Sequence, residues 1–187
     1  MVIVEKETVS KIEVKKSLFI SHLVPIGTFQ ERLKDLREEH KKANHHVWAF
    51  RQLNEFDQIE EGSTDDGEPS GTSGPPTLRI LQGNDLINSA VITTRYFGGT
   101  KLGTGGLVRA YGESVKTAIK DAILKPYIKL TTIELSIPFK NIPHVEYLCE
   151  EKGVRIVEKD FGADGAKFIL EGVEGNLELI RVTITLR

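Results

Sequence analysis

The chain has 187 residues, a formal net charge of −2, 39% hydrophobic and 28% charged residues, and one cysteine. This suits a soluble globular protein of one large or two small domains. No stretch approaches the roughly 20 apolar residues of a membrane span. A lone Cys149 forms no internal disulfide, and no Cys/His spacing suits zinc. Met1 to Ser10 alternates apolar and charged residues, unlike a signal peptide, so a cytoplasmic location is expected.

Residues 2–7 and 12–24 read as strands with a polar turn between them, the second supported by Val14, Leu18 and Ile20. Thr28 is a candidate cap for a helix reaching about Lys42, with Phe29, Leu33 and Leu36 on one face. Residues 45–53, with Val47, Trp48, Ala49 and Phe50, read as a strand. Residues 54–74 read as loop from their Gly, Pro, Ser and Asp content, followed by a short helix over 76–82. Ala90 to Thr94 is β-rich and reads as a buried strand. From Leu107 to Leu124, apolar residues at 107, 111, 115, 118 and 122 keep helical spacing.

Pro126 marks the expected boundary between a domain at 1–125 and another at 126–187. In the second, Ile133, Leu135 and Ile137 alternate as a strand. Asn141 and Pro143 open a helix carrying Val145, Leu148 and Cys149, which Gly153 stops. Strands follow at 154–161 and 166–173 around Ala163-Asp164-Gly165, a hairpin signal. Val182, Ile184 and Leu186 alternate as a last strand, leaving 174–181 barely long enough for a second helix.

Charge is unevenly spread. Residues 1–125 hold 17 basic and 17 acidic side chains, and seven of the acids lie between Glu55 and Glu68, a segment with no base. Between Arg79 and Arg109 the bases Arg79, Arg95, Lys101 and Arg109 meet one acid, Asp85. A basic face of this kind suits a polyanion partner.

Two loops stand out. The first is Asp65-Asp66-Gly67-Glu68-Pro69-Ser70-Gly71-Thr72; the second is Thr94-Arg95-Tyr96-Phe97-Gly98-Gly99, continuing through Lys101 and Gly103 to Gly105-Gly106. The second opens a helix, so its backbone amides and the positive end of the helix dipole form an anion site. Arg95, Gly98, Gly99, Lys101, Gly103, Gly105, Gly106 and Arg109 are the candidate anion- or nucleic-acid-binding residues, with Tyr96 and Phe97 as stacking candidates. It is not a P-loop, because Thr104-Gly105 stands where Lys-Ser/Thr is needed. Nor is it a dinucleotide fingerprint, because Val108 occupies the third glycine position.

In the acidic loop, Asp65, Asp66 and Glu68 either order the backbone as turn-capping acceptors or hold an ion. His45, Asp65 and Asp66 are the metal-ligand candidates. His46, one residue on, points to the opposite face of a strand and cannot chelate with His45. Ser70 and Thr72 have no visible His/Asp relay, so no catalytic residue is assigned and no cofactor is implied. Cys149 reads as core.

These two loops, with Leu102-Gly103, Gly105-Gly106-Leu107 and Arg109-Ala110-Tyr111, resemble the YigZ/IMPACT family, and His45, Ala49 and Arg51 fit its pattern too. The likeness is strong over roughly residues 1–125. It implies an α+β protein in two domains: a ribosomal-protein-type β-α-β-α domain, then a small ferredoxin-like domain. It also implies a non-enzymatic regulator near the translation machinery. Eukaryotic members modulate translation through protein contacts in the starvation response. The bacterial two-domain form resembles parts of elongation factor G, which implies RNA or ribosome binding. The alternative is an enzyme on a phosphorylated small molecule, since Lys101 to Gly106 loosely resembles the phosphate loop of small-molecule kinases.

Overall fold

The computed structural model describes residues 1–185 and divides the chain into two compact units, Met1–Tyr127 and a second beginning at Ile128. In the first unit the elements are β1 (Val2–Val4), β2 (Thr8–Val14), β3 (Ser17–Pro25), α1 (Phe29–Glu39), β4 (His45–Leu53), β5 (Ile59–Thr64), α2 (Gly74–Gly83), β6 (Ser89–Tyr96), α3 (Thr104–Asp121) and β7 (Leu124–Pro126). Five strands form one antiparallel sheet in the order β2-β3-β6-β4-β5. β1 pairs with β7, so the start of the unit is tied to its end.

The strand period assigns the two faces of this sheet. Val24, Ala90 and Ile92 pack with Phe29, Leu33 and Leu36 of α1, and Trp48 and Phe50 lie against the same cluster. On the other face, Phe19 and Val47 pack against Leu107, Ala110 and Tyr111 of α3. Leu81 of α2 packs with Leu23, Ala49, Val91 and Val115. Covered by helices on both faces, β6 is buried from Ser89 to Arg95. Buried hydroxyls also tie α3 down: Ser21 Oγ lies 2.7 Å from Thr93 Oγ1 and 2.6 Å from Ser114 Oγ.

Several elements depart from the sequence expectation. The turn expected between residues 7 and 12 falls at Lys15-Lys16, where both residues adopt positive φ (47° and 66°) and Val14 pairs with Ser17. Thr28 does not cap α1; its hydroxyl donates to the Pro25 carbonyl, and the helix ends at Glu39, short of Lys42. The expected loop 54–74 contains β5, an edge strand with few β-formers. Cross-strand pairs hold it, with Arg51 Nε on Glu61 Oε1 at 2.6 Å and Gln52 on Glu60.

The second unit runs β8 (Thr131–Pro138), α4 (Ile142–Lys152), β9 (Arg155–Phe161), β10 (Gly165–Gly172) and α5 (Glu174–Thr185). Its strand order, β8-β10-β9, is antiparallel throughout. Ile137, Val145, Cys149, Phe168, Leu170, Leu177 and Ile180 share one core. Gly153 ends α4 at φ 64° in the left-handed region. This β-α-β-β-α order is a ferredoxin-like arrangement without its last strand among the described residues. The strand expected at Val182 and Ile184 is instead the end of α5, and Leu186 lies outside the described residues. Leu177, Ile180 and Ile184 recur at helical spacing and face the core, and that period outweighs the β-branched alternation. The α+β, two-domain class is as the resemblance implies.

Two histidines beneath α1 give the first unit a pH-sensitive stability. Burial lowers the pKa of His22 and of His46 against their neighbouring carboxylates. The His22 ring donates through Nδ1 to Glu7 at 2.6 Å, while its Nε2 is buried without a partner, so a second proton there would have no acceptor. Above the ordinary value of 6.5 both rings are neutral, folded or unfolded. Below it the unfolded chain takes protons first, and stability is lost progressively toward the lowered folded values. Urea midpoints should therefore fall between about pH 7 and about pH 5, and His46→Gln should flatten part of that slope. A midpoint independent of pH across that window would contradict the assignment.

Candidate functional site

The acidic loop leaves β5 at Thr64 and folds back on itself. Asp65 accepts through Oδ2 from the Gly71 amide at 2.7 Å and through Oδ1 from the Ser73 amide, the Ser73 hydroxyl and the Gly74 amide at 3.0, 2.7 and 2.8 Å. Burial alone would raise its pKa, but these bonds outweigh it and hold the carboxyl below the usual range. Asp65 thus caps the start of α2. Asp66, at φ 44°, accepts the His46 amide at 2.6 Å on Oδ2. Its carbonyl accepts from His45 Nδ1 at 2.8 Å, which leaves Nε2 on the side of the ring that faces Glu68. Among the described residues, no group of three or more His, Cys, Asp or Glu is arranged to hold a metal.

Glu68 turns inward, its side chain 3% exposed. Its Oε1 accepts from Arg95 Nη1 at 2.5 Å and from the Tyr111 hydroxyl at 2.7 Å, and His45 Nε2 lies 3.7 Å away. Tyr111 is fully buried edge-on to Phe19, and burial together with the Glu68 carboxylate pushes its phenol well above the ordinary value. Arg95, expected among the anion-binding groups, is 5% exposed and belongs to this interior network. Its guanidinium also lies 5.4 Å from the Phe19 ring centre and 5.8 Å from that of Phe97.

The glycine loop follows directly. A Cβ at Gly98 would come within 2.0 Å of the Lys16 carbonyl carbon, so this position is glycine for close approach to the β2–β3 turn. The Gly98 amide donates to Ser17 Oγ at 3.1 Å. Gly99 and Gly103 take φ 84° and 71°, while Gly105 and Gly106 lie in the first turn of α3. Tyr96 is tied through its hydroxyl to His40 Nδ1 at 2.8 Å; Phe97 remains 46% exposed. Lys101 and Arg109 are both exposed. Alongside, a groove of about 720 Å³ runs between α2 and α3, reaching Lys15 on the turn and Arg109 on α3.

The structure therefore sorts the expected residues into two groups. Glu68, Arg95 and His45 form an interior network with Tyr111, while Lys101, Arg109, Phe97 and the glycines stay at the surface. Sequence reasoning missed Lys15, Lys16 and Lys116 as members of the cationic face. No sequence signal marked the turn pair, since a two-residue turn normally carries Gly or Asn and this one has neither.

Residues 15–119 match the model of the Impact N-terminal domain. The chain belongs to the IMPACT family. It is similar to an IMPACT family member of Haemophilus influenzae, 39% identical over 159 residues, which covers 81% of this chain and 75% of that one. It is also similar to the IMPACT family member YigZ of Escherichia coli, 34% identical over 154 residues, with 81% and 76% covered. The crystal structure of a hypothetical protein matches with a TM-score of 0.72 at 29% identity, over 97% of this chain and 89% of that one.

In this IMPACT family chain the Glu68–Arg95 pair makes a quantitative prediction. Glu68→Ala and Arg95→Ala should each destabilise the protein by about 3–5 kcal/mol, because each leaves a buried charge unpaired. The double substitution should cost clearly less than the sum of the two. Urea unfolding of the four proteins in this double-mutant cycle checks both statements.

Proposed function

We propose that this chain is a non-enzymatic factor that works beside the translation machinery in the cytoplasm, contacting RNA through the cationic face around the glycine loop. What carries this reading is the contrast between two sets of cations. Arg32, Arg51 and Arg95 each bond a carboxylate. Lys15, Lys16, Lys101, Arg109 and Lys116 are exposed, and none makes a side-chain hydrogen bond or ion pair with another described residue. What sets these five apart from other exposed, unpaired lysines of the unit is their grouping around the glycine loop and the groove beside it.

Two further features support it. α3 begins without a side-chain cap and with no acid in its first turn, so the positive end of its dipole is uncompensated. The two turn lysines sit in left-handed backbone, which costs a residue other than glycine about 1–2 kcal/mol each. Strain retained at a surface turn is a pointer to function. The eukaryotic relatives' role in modulating translation points the same way.

Replacing Lys15-Lys16 by Asn-Gly separates function from folding. The pair suits a two-residue turn with positive φ at both positions, so the melting temperature should rise. RNA and ribosome binding should weaken, and the slope of log affinity against log salt should become shallower by about 1–2. Co-sedimentation with ribosomes over a salt series, beside a thermal melt, measures both. Greater stability with unchanged binding would sink the reading.

A further inference from the structure

We propose that the groove between α2 and α3 is the seat of a single-stranded RNA segment, with phosphates on Lys15, Arg109 and Lys116 and an unstacked base between Arg79 and Arg109. This rests on the RNA reading above and assigns it a place and a strand state.

The groove measures about 720 Å³, within the roughly 300–1,000 Å³ of sites that enclose small organic groups. Its floor is apolar. Pro76 and Ile80 come from α2, Leu102 from the glycine loop, and Ala110 from α3. Ile80 packs closely on Gly112 of α3: a Cβ there would meet Ile80 Cδ1 at 3.3 Å.

Its rim is cationic. Lys15, Arg79, Arg109 and Lys116 line it against one acid, Glu113. None of the four cations makes a side-chain bond to another described residue. Arg109 and Lys116 are seven residues apart on α3, which spaces them by about 10 Å along one face. An apolar floor inside a ring of cations suits a ligand with flat, weakly polar bodies strung on regularly spaced anions.

Two features favour RNA over an acidic peptide. Arg79 and Arg109 present planar guanidiniums, which stack on bases as well as pairing with phosphate. Exposed cations also lie beyond the groove, Lys16 on the turn and Lys101 on the glycine loop that packs against that turn at Gly98, as a repeating anion requires. A duplex hides its base faces in its own stack and meets a protein through its backbone, so it would use the rim and leave the floor empty.

The test is fluorescence anisotropy with a labelled short oligouridylate and an RNA duplex of equal length, with polyglutamate as competitor. The oligouridylate should bind about ten-fold more tightly than the duplex. Arg79→Ala with Lys116→Ala should remove that preference without changing the melting temperature, since both side chains are exposed and unpaired. Arg79→Lys keeps the charge and loses the plane; it should weaken oligouridylate binding several-fold while leaving the salt slope unchanged. Equal binding of strand and duplex, or competition by polyglutamate as effective per charge as by oligouridylate, would overturn the groove assignment and leave the RNA reading standing. Binding of neither RNA at low salt would overturn both.

Discussion

The first unit depends on one buried carboxylate. Glu68 arrives from the acidic loop, Arg95 from the central strand and Tyr111 from the middle of α3, and all three meet at Oε1 of Glu68. A pair this buried adds little net stability over an apolar replacement, but breaking one side of it is costly. Its effect is to fix geometry. Arg95 is drawn inward, the chain leaves β6 at Tyr96 in a set direction, and the glycine loop starts from a defined point. Tyr111 then sets how α3 lies on the sheet, and with it the line of the groove between α3 and α2.

That arrangement divides the charges by task. Asp65 is fully occupied with backbone amides, Asp66 with the His46 amide, and Glu68 with Arg95 and Tyr111. A loop that reads as a string of free carboxylates is thus built into the fold, and its His45 neighbour is held by a backbone carbonyl. The lysines at the β2–β3 turn show the reverse: they hold an unfavourable backbone conformation with no bond in return. Stability and charge presentation pull in opposite directions there, and the proposed RNA contact is what would favour keeping the lysines.

Legibility followed from whether one physical signal dominated locally. α3 and β6 were readable because long periodic apolar patterns leave few alternatives. The burial of Arg95 was not readable, because β6 is covered on both faces and has no polar side against which an inward arginine would stand out. Tyr111 did carry a trace, since it shares a helical stripe with Leu107 and Val115, which places its hydroxyl in the interior. The end of the chain misled because Val182 and Ile184 satisfy a strand period and Leu177, Ile180 and Ile184 a helical one. Only packing against β10 and α4 decides between them. The turn at Lys15-Lys16 was invisible for a third reason: it lacks the residues that normally mark such a turn.

Equal numbers of acids and bases in the first unit do not weaken a polyanion reading, because seven of the seventeen acids lie together between Glu55 and Glu68. β2 and β5 are the two edges of the sheet. Four inter-strand steps put them about 19 Å apart, while fields between exposed charges are screened over about 8 Å at physiological salt. Glu55, in the turn leading into β5, and Glu60, within β5, are therefore too far away to neutralise Lys15 and Lys16 beside β2. An approaching polyanion meets the local field, attractive at one edge and repulsive at the other. The same separation would orient the proposed RNA strand: its phosphates would be favoured toward β2, with the acidic edge turned away from it.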